Sequence, residues 1–389
     1  MGNDMGNNSK YYQVDFEEEP EDLTDLKRID AVVQGADWTV ETIVSQMKRG
    51  NIILNPNFQR RDAWSKSKKS SLIESLIVGL PVPQLVLAES NAKRGAFVVL
   101  DGKQRLLSIL QFWGESEEDP NNRFNLSNLE LKKELSGKTF EDMVTDSSFT
   151  EDYDALCNHT IRTVVIKNWK SEDLLHTIFL RLNTGSVTLS PQELRQALHP
   201  GRYTDFIDKR SAESEALHAL LRTPGPDPRM RDAEILARFV AFRLFPDEYR
   251  GRMKPFLDMT FDKLNTQWDS KREEIEGWVE QFEAGLEDLN KIFDGKPARK
   301  PSSRAFNRAI FDALIYYHSD PEVRRSLEGK EAQVFDAYNS LFEDGSDFSA
   351  AIESDTAGRP HTFTRFSAWA KKLSEIAGAS IEAPPIPAE

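Results

Sequence analysis

The run Phe97-Val98-Val99-Leu100-Asp101-Gly102-Lys103-Gln104-Arg105-Leu106-Leu107 constrains this chain more than any other. An apolar, β-branched stretch stops at Asp-Gly. A polar, basic triplet follows, and an apolar helical pattern takes over. This order predicts a buried strand that delivers Asp101 and Gly102 to the first turn of a helix. Helix N-termini expose N–H groups without intrahelical partners and carry partial positive charge, so they favour anions. Lys103 adds a point charge there and Arg105 a planar fork. Gly102 lets the backbone approach a ligand closely. Asp101 has the chemistry to hold Mg²⁺ or to position a water. The competing reading of the same residues is an ordinary Asp-Gly turn with solvated charges.

Other patterns narrow the function classes. The net charge of −14 argues against a protein that coats nucleic acid over its whole surface. Two local basic clusters remain: Arg60, Arg61, Lys66, Lys68 and Lys69, and further on Lys296, Arg299, Lys300, Arg304 and Arg308. Either is a groove for nucleic acid or a solvated face. The single cysteine, Cys157, excludes an internal disulfide framework and a Cys-only zinc site, and fits a cytoplasmic protein. The polar, acidic N-terminus has no signal-peptide pattern. The longest uncharged stretch around residues 75–88 is broken by Pro81 and Pro83, so no membrane span is expected. The six histidines make no H-E-x-x-H or His/Cys zinc pattern, and no HNH-nuclease pattern is found. Walker, Rossmann and G-x-S-x-G signatures are missing as well.

Along the chain, residues 1–35 read as an acidic tail. Residues 36–200 read as a mixed α/β domain carrying a polar, turn-rich insertion at 114–159, and 201–389 as an all-helical domain. Thr39 caps a first helix that stops at Gly50. Residues 52–54 are a short strand, and Ser67 caps a second helix. Strands at 84–88 and 96–100 form a hairpin, and 161–166 alternates as another strand. A helix from Ser171 closes at Asn183-Thr184-Gly185. Ser190-Pro191-Gln192-Glu193 combines a cap, a proline at the first helical position and a capping box. Helices are expected at 229–245, 270–292, 304–317, 329–342 and 363–376.

The ordered motifs are Asn55-Pro56 with Phe58-Gln59-Arg60 and Trp64, then Leu72-Ile73-Glu74-Ser75-Leu76 with Gly79-Leu80-Pro81-Val82-Pro83. Asp101-Gly102-Lys103-Gln104-Arg105-Leu106, Phe179 to Gly185 and Leu189-Ser190-Pro191-Gln192-Glu193-Leu194-Arg195 follow. Together they resemble the domain family at the N-terminal half of GmrSD-type modification-dependent restriction enzymes. They are also similar to the N-terminal half of the SspE phosphorothioate-dependent defence protein. The resemblance spans about residues 36–260. It implies an α+β chain: a ParB/sulfiredoxin-like mixed domain followed by the helical one. It also implies nucleotide binding and NTP hydrolysis, with ATP or GTP and Mg²⁺ as cofactors.

The family's usual signature is Asp-Gly-Gln-Gln-Arg, and this chain has Lys103 at its third position. On the matching positions, Asp101, Gln104 and Arg105 are the implied catalytic residues, with Mg²⁺ at Asp101. Gln59, Arg60, Gly102, Lys103 and Asn183 are the implied nucleotide contacts. Arg61, Lys66, Lys68 and Lys69 are the candidate DNA contacts. The expected role is a sensor or regulatory subunit of a restriction or anti-phage defence system. Its expected partners are modified or phage DNA and a separate nuclease chain, with oligomerisation left open. The competing expectations are a ParB-like DNA-binding module without hydrolysis, and an adaptor whose helical domain docks an effector.

Overall fold

The computed structural model describes residues 31–53, 64–91, 93–114, 123–170, 174, 175, 178, 190–303, 305–343, 346–353 and 355–387. The chain divides between Pro200 and Gly201 into two compact units.

The first unit is built on a mixed sheet. Its strands are β1 (Val32–Thr39), β2 (Ile52–Ile53), β3 (Leu85–Glu89), β4 (Phe97–Asp101) and β5 (Thr160–Lys167). They lie in the order β1-β5-β3-β4-β2. β3 pairs antiparallel with β4 and parallel with β5, so the expected hairpin forms and sits at the sheet centre. The helices are α1 (Val40–Lys48), α2 (Lys66–Ile77), α3 (Lys103–Trp113), α4 (Phe140–Thr145), α5 (Thr150–Asn158) and α6 (Pro191–Leu198).

β3 and β4 read as unbroken apolar runs because both faces of the sheet are covered. Leu85, Leu87 and Val99 enter one core with Ile43 and Val44 of α1, Leu76 of α2 and Ile109 of α3. Val86, Ala88, Val98 and Leu100 alternate into a second core with Leu174, Leu175, Leu194 and Ala197. A side-chain period of two thus splits one hydrophobic run between two cores.

Three expectations change. β1 begins at Val32, inside the stretch read as acidic tail, and pairs antiparallel with β5 along its whole length. Its apolar start carries no burial signal, because Val33 at this sheet edge stays 64% exposed. The cap of α2 is Ser65, not Ser67: its side chain accepts from the Lys68 N–H at 3.4 Å. Both serines suit a cap, and only the path of the chain chooses between them. Residues 123–159 are no polar loop either. Phe124, Leu126, Leu135, Met143 and Leu156 complete the first core. α4 begins with a capping box between Thr139 and Asp142.

Glu74 anchors this segment. It lies on α2 among Leu72, Ile73, Leu76 and Ile77 and is 5% exposed. Its carboxylate accepts the N–H groups of Glu130, Leu131 and Lys132 at 3.2, 2.7 and 2.8 Å. Burial alone raises the carboxyl pKa, but the three N–H donors outweigh it and hold it below the usual range.

The second unit is helical: α7 (Arg202–Glu213), α8 (Glu215–Leu221), α9 (Arg231–Leu244), α10 (Met253–Thr266), α11 (Trp268–Ile292), α12 (Arg308–His318), α13 (Pro321–Leu327), α14 (Glu331–Ser340), α15 (Asp347–Glu353) and α16 (Arg359–Ala377). All five expected helices are present, with α7, α8, α10, α13 and α15 in addition. Extended pairing among the described residues of this unit is limited to an isolated bridge between Arg299 and Phe306. The buried pair Arg238–Asp312, at 2.5 Å, ties α9 to α12.

Candidate functional site

The strand-to-helix junction forms as the sequence reads it. β4 ends at Asp101, α3 starts at Lys103, and Gly102 between them takes φ +99°. Left-handed backbone here favours glycine on its own. The surroundings demand it again: a Cβ on Gly102 would stand 2.3 Å from Leu85 Cδ2 and 3.1 Å from Arg105 Nη2. Gly102 is the N-cap of α3 and supplies no side chain to cap it. The first turn of α3 therefore keeps its anion-favouring end uncapped by its own N-cap residue.

Arg105 folds back over the junction. Its Nη2 donates to Asp101 Oδ2 at 2.9 Å and to the Gln84 carbonyl at 2.9 Å. The guanidinium is 11% exposed and the Asp101 carboxylate 26%. Arg105 Nε and Gln104 Oε1 are buried and have no hydrogen-bond partner among the described residues. Buried polar atoms are usually paired, so each of these two has bonding capacity left for water or a ligand.

Lys103 is placed differently. It is 5% exposed, and its Nζ donates to Glu193 Oε1 at 2.6 Å. Glu193 is the third residue of α6 and also closes that helix's capping box: Oε2 accepts the Ser190 N–H at 2.7 Å, and the Glu193 N–H donates to Ser190 Oγ at 3.1 Å. One carboxylate thus caps α6 and holds the start of α3. The charge assigned from sequence to an incoming phosphate is answered by a carboxylate of the protein. The signal was present as two motifs, each with a charged residue, but nothing local said that they meet.

Lys66, Lys68 and Lys69 lie on the first turn of α2. Lys66 bonds Asn125, Lys68 stands 4.5 Å over the Trp64 ring, and Lys69 is 5.9 Å from the Phe124 ring. Gln59, Arg60, Arg61 and Asn183 lie outside the described residues. Cys157 is buried. Burial pushes its thiol pKa up, against a role as nucleophile. No group of three or more His, Cys, Asp or Glu residues gathers to hold a metal among the described residues. No helix among them is long and apolar enough to cross a membrane.

A strand that hands a glycine to a helix start, as β4 does, exposes helix N–H groups of the kind that favour anions. The comparison with known families is more specific. Residues 40–200 match the GmrSD restriction endonuclease, N-terminal domain, and this segment is a member of that domain family. No curated protein matches the chain. The match ends where the first compact unit ends, and the helical unit lies beyond it.

Proposed function

We propose that the first unit binds and hydrolyses a nucleoside triphosphate, ATP or GTP, and that the chain is a sensor or regulatory subunit of a restriction or anti-phage defence system. The observation that carries this reading is the Asp101–Arg105 junction, inside a segment of the GmrSD N-terminal family, with two buried polar atoms that have no partner among the described residues. In this reading the uncapped start of α3 and the Arg105 guanidinium neutralise phosphate charge. Positioning and electrostatics carry most of phosphoryl transfer, so a rigid cradle is what the reaction needs. Arg105 is rigid because Asp101 and the Gln84 carbonyl both hold its Nη2. Gln104 orients the attacking water through its side-chain oxygen. Lys103 acts as a positioning residue, fixing α3 against α6 through Glu193.

Mg²⁺ fits as a partner of the nucleotide rather than as a resident ion. Mg²⁺ at nucleotide sites is held by one or two carboxylates together with phosphate oxygens. Asp101 is the carboxylate at the junction, and it is partly exposed. When bound, the ion supplies further neutralisation of phosphate charge. Modified or phage DNA is the expected stimulus, and a partner nuclease chain the expected output.

The test is turnover of ATP, GTP, CTP and UTP by the purified chain, with and without DNA. Arg105→Ala should remove turnover while the protein stays folded. Unchanged turnover in Arg105→Ala overturns the site. DNA binding by the wild-type chain without any turnover would make the unit a ParB-like DNA-binding module instead.

A further inference from the structure

The helical unit contains a cavity of about 880 Å³ between the end of α11, the loop that follows it, the end of α8 and one side of α14. Pockets for small organic ligands run from about 300 to 1,000 Å³. Three cationic side chains line it: Arg222, Lys296 and Arg299. Two carboxylates share the lining, and each faces a lysine. Asp294 is fully exposed and stands 3.8 Å from Lys296 Nζ, and Glu331 is engaged by Lys291 at 2.6 Å. Arg222 and Arg299 leave the lining with more cations than carboxylates in a chain of net charge −14.

Burial, and after it the nearby Arg222, push the Arg299 guanidinium below its ordinary pKa. Two like charges brought together at a partly desolvated wall repel, and an anion between them relieves that repulsion. The wall is also aromatic. Phe335 is 43% exposed on α14, and its ring lies 5.9 Å from the buried Phe293, which in turn packs on Tyr338 at 4.8 Å. An exposed ring on a rigid aromatic base, beside cations, is a stacking platform.

The loop is held in shape. Ala298 is buried at φ +57°, a conformation that a residue with a Cβ adopts only under constraint. Its carbonyl accepts the Asn307 N–H at 2.9 Å, and the Arg299 carbonyl accepts the Tyr338 hydroxyl at 2.8 Å. These bonds present the Arg299 side chain to the cavity from a fixed backbone.

We propose that this cavity binds a nucleoside phosphate, with its base on the Phe335 ring and its phosphate between Arg222, Lys296 and Arg299. The ligand is either a free mononucleotide or a nucleotide unit presented by a DNA strand. The site is separate from the Asp101–Arg105 junction and stands or falls without it.

The experiment is calorimetric titration of the full chain in an Arg105→Ala background, which disables the other site. The probes are AMP, inorganic phosphate and a short single-stranded oligonucleotide. AMP or the oligonucleotide should bind, and Phe335→Ala should weaken that binding about tenfold, as loss of a stacking partner does. Arg222→Ala should weaken it as well. Phe335 and Arg222 are both exposed, so these variants should keep the wild-type circular dichroism and melting. Tighter AMP identifies a free nucleotide as the source, and a tighter oligonucleotide a DNA strand. Phosphate binding as tight as AMP overturns the assignment of an aromatic ligand. Binding that neither Phe335→Ala nor Arg222→Ala alters, or no binding of any probe, overturns the site.

Discussion

Arg105 and Arg238 share the same sequence spacing to an acid and end in different states. Each has an acid four residues before it: Asp101 at 2.9 Å for Arg105, and Glu234 at 3.7 Å for Arg238. Arg238 then uses the rest of its fork. Nε reaches both Asp312 oxygens at 3.1 Å, and Nη2 reaches Oδ2 at 2.5 Å. Glu234 is shared with Arg308 at 2.8 Å. Arg105 makes both of its described bonds through one nitrogen, and its buried Nε has no partner among the described residues. A saturated arginine holds a fold together and has nothing left for a ligand. A half-satisfied one, held in place by its other bonds, is ready to receive one.

The largest test of this contrast is Asp312→Ala. Removing one partner of a buried pair leaves a charge without compensation, at about 3–5 kcal/mol. Urea unfolding should report that loss, while nucleotide turnover of the folded protein should stay intact. Arg105→Ala should do the reverse, with little change in stability and turnover gone. If both variants lose stability equally, the contrast is broken.

Next comes Gly102→Ala. A strained backbone costs about 1–3 kcal/mol, before the collision with Leu85 is counted. Adding Leu85→Ala to make space should not recover stability, since it opens a core cavity while φ +99° still disfavours alanine. Full recovery in the melting temperature would show that space rather than backbone demands the glycine.

Lys103→Gln restores the residue usual in the family signature. The change takes the cation out of a buried pair, and the hydrogen bond that a glutamine amide still donates to Glu193 reduces the cost, so the loss should be about 1.5–3 kcal/mol. Pairing the change with Glu193→Gln in a double-mutant cycle measures the coupling. Additive losses would remove Lys103 from the positioning role.

The smallest effect is on pH dependence, through Glu74. Its folded-state pKa lies below its unfolded value. It therefore stabilises the fold above the unfolded pKa, and that contribution is lost as pH falls through the folded one. Glu74→Gln should flatten the acid limb of a stability–pH curve. An unchanged limb would place the acid sensitivity elsewhere.

Local chemistry was legible wherever a residue's role depends on its neighbours in sequence. Thr39 caps α1, accepting the Thr42 N–H at 3.1 Å, and Ser190, Pro191 and Glu193 start α6 as read. The turn at Asp101-Gly102 was visible as a change of hydrophobic period. β1 was not, because pairing with β5 more than a hundred residues away makes it a strand, and its exposed valines carry no pattern. The core role of 123–159 was hidden for a related reason. Its apolar residues are scattered among polar ones, and bonds to α2 tie them to the core, from the Ser127 N–H to Ser70 Oγ and from the N–H groups of residues 130–132 to Glu74.

The sequence by itself determined that a strand would hand Asp101 and Gly102 to a helix start, since glycine placement and hydrophobic period are local properties. Only the tertiary structure decided what the charges at that junction do. It turned Lys103 toward Glu193, ninety residues on, and bent Arg105 back onto Asp101 and Gln84. Charge is carried by residue type, but its partner is set by which helix ends the fold brings within hydrogen-bonding reach.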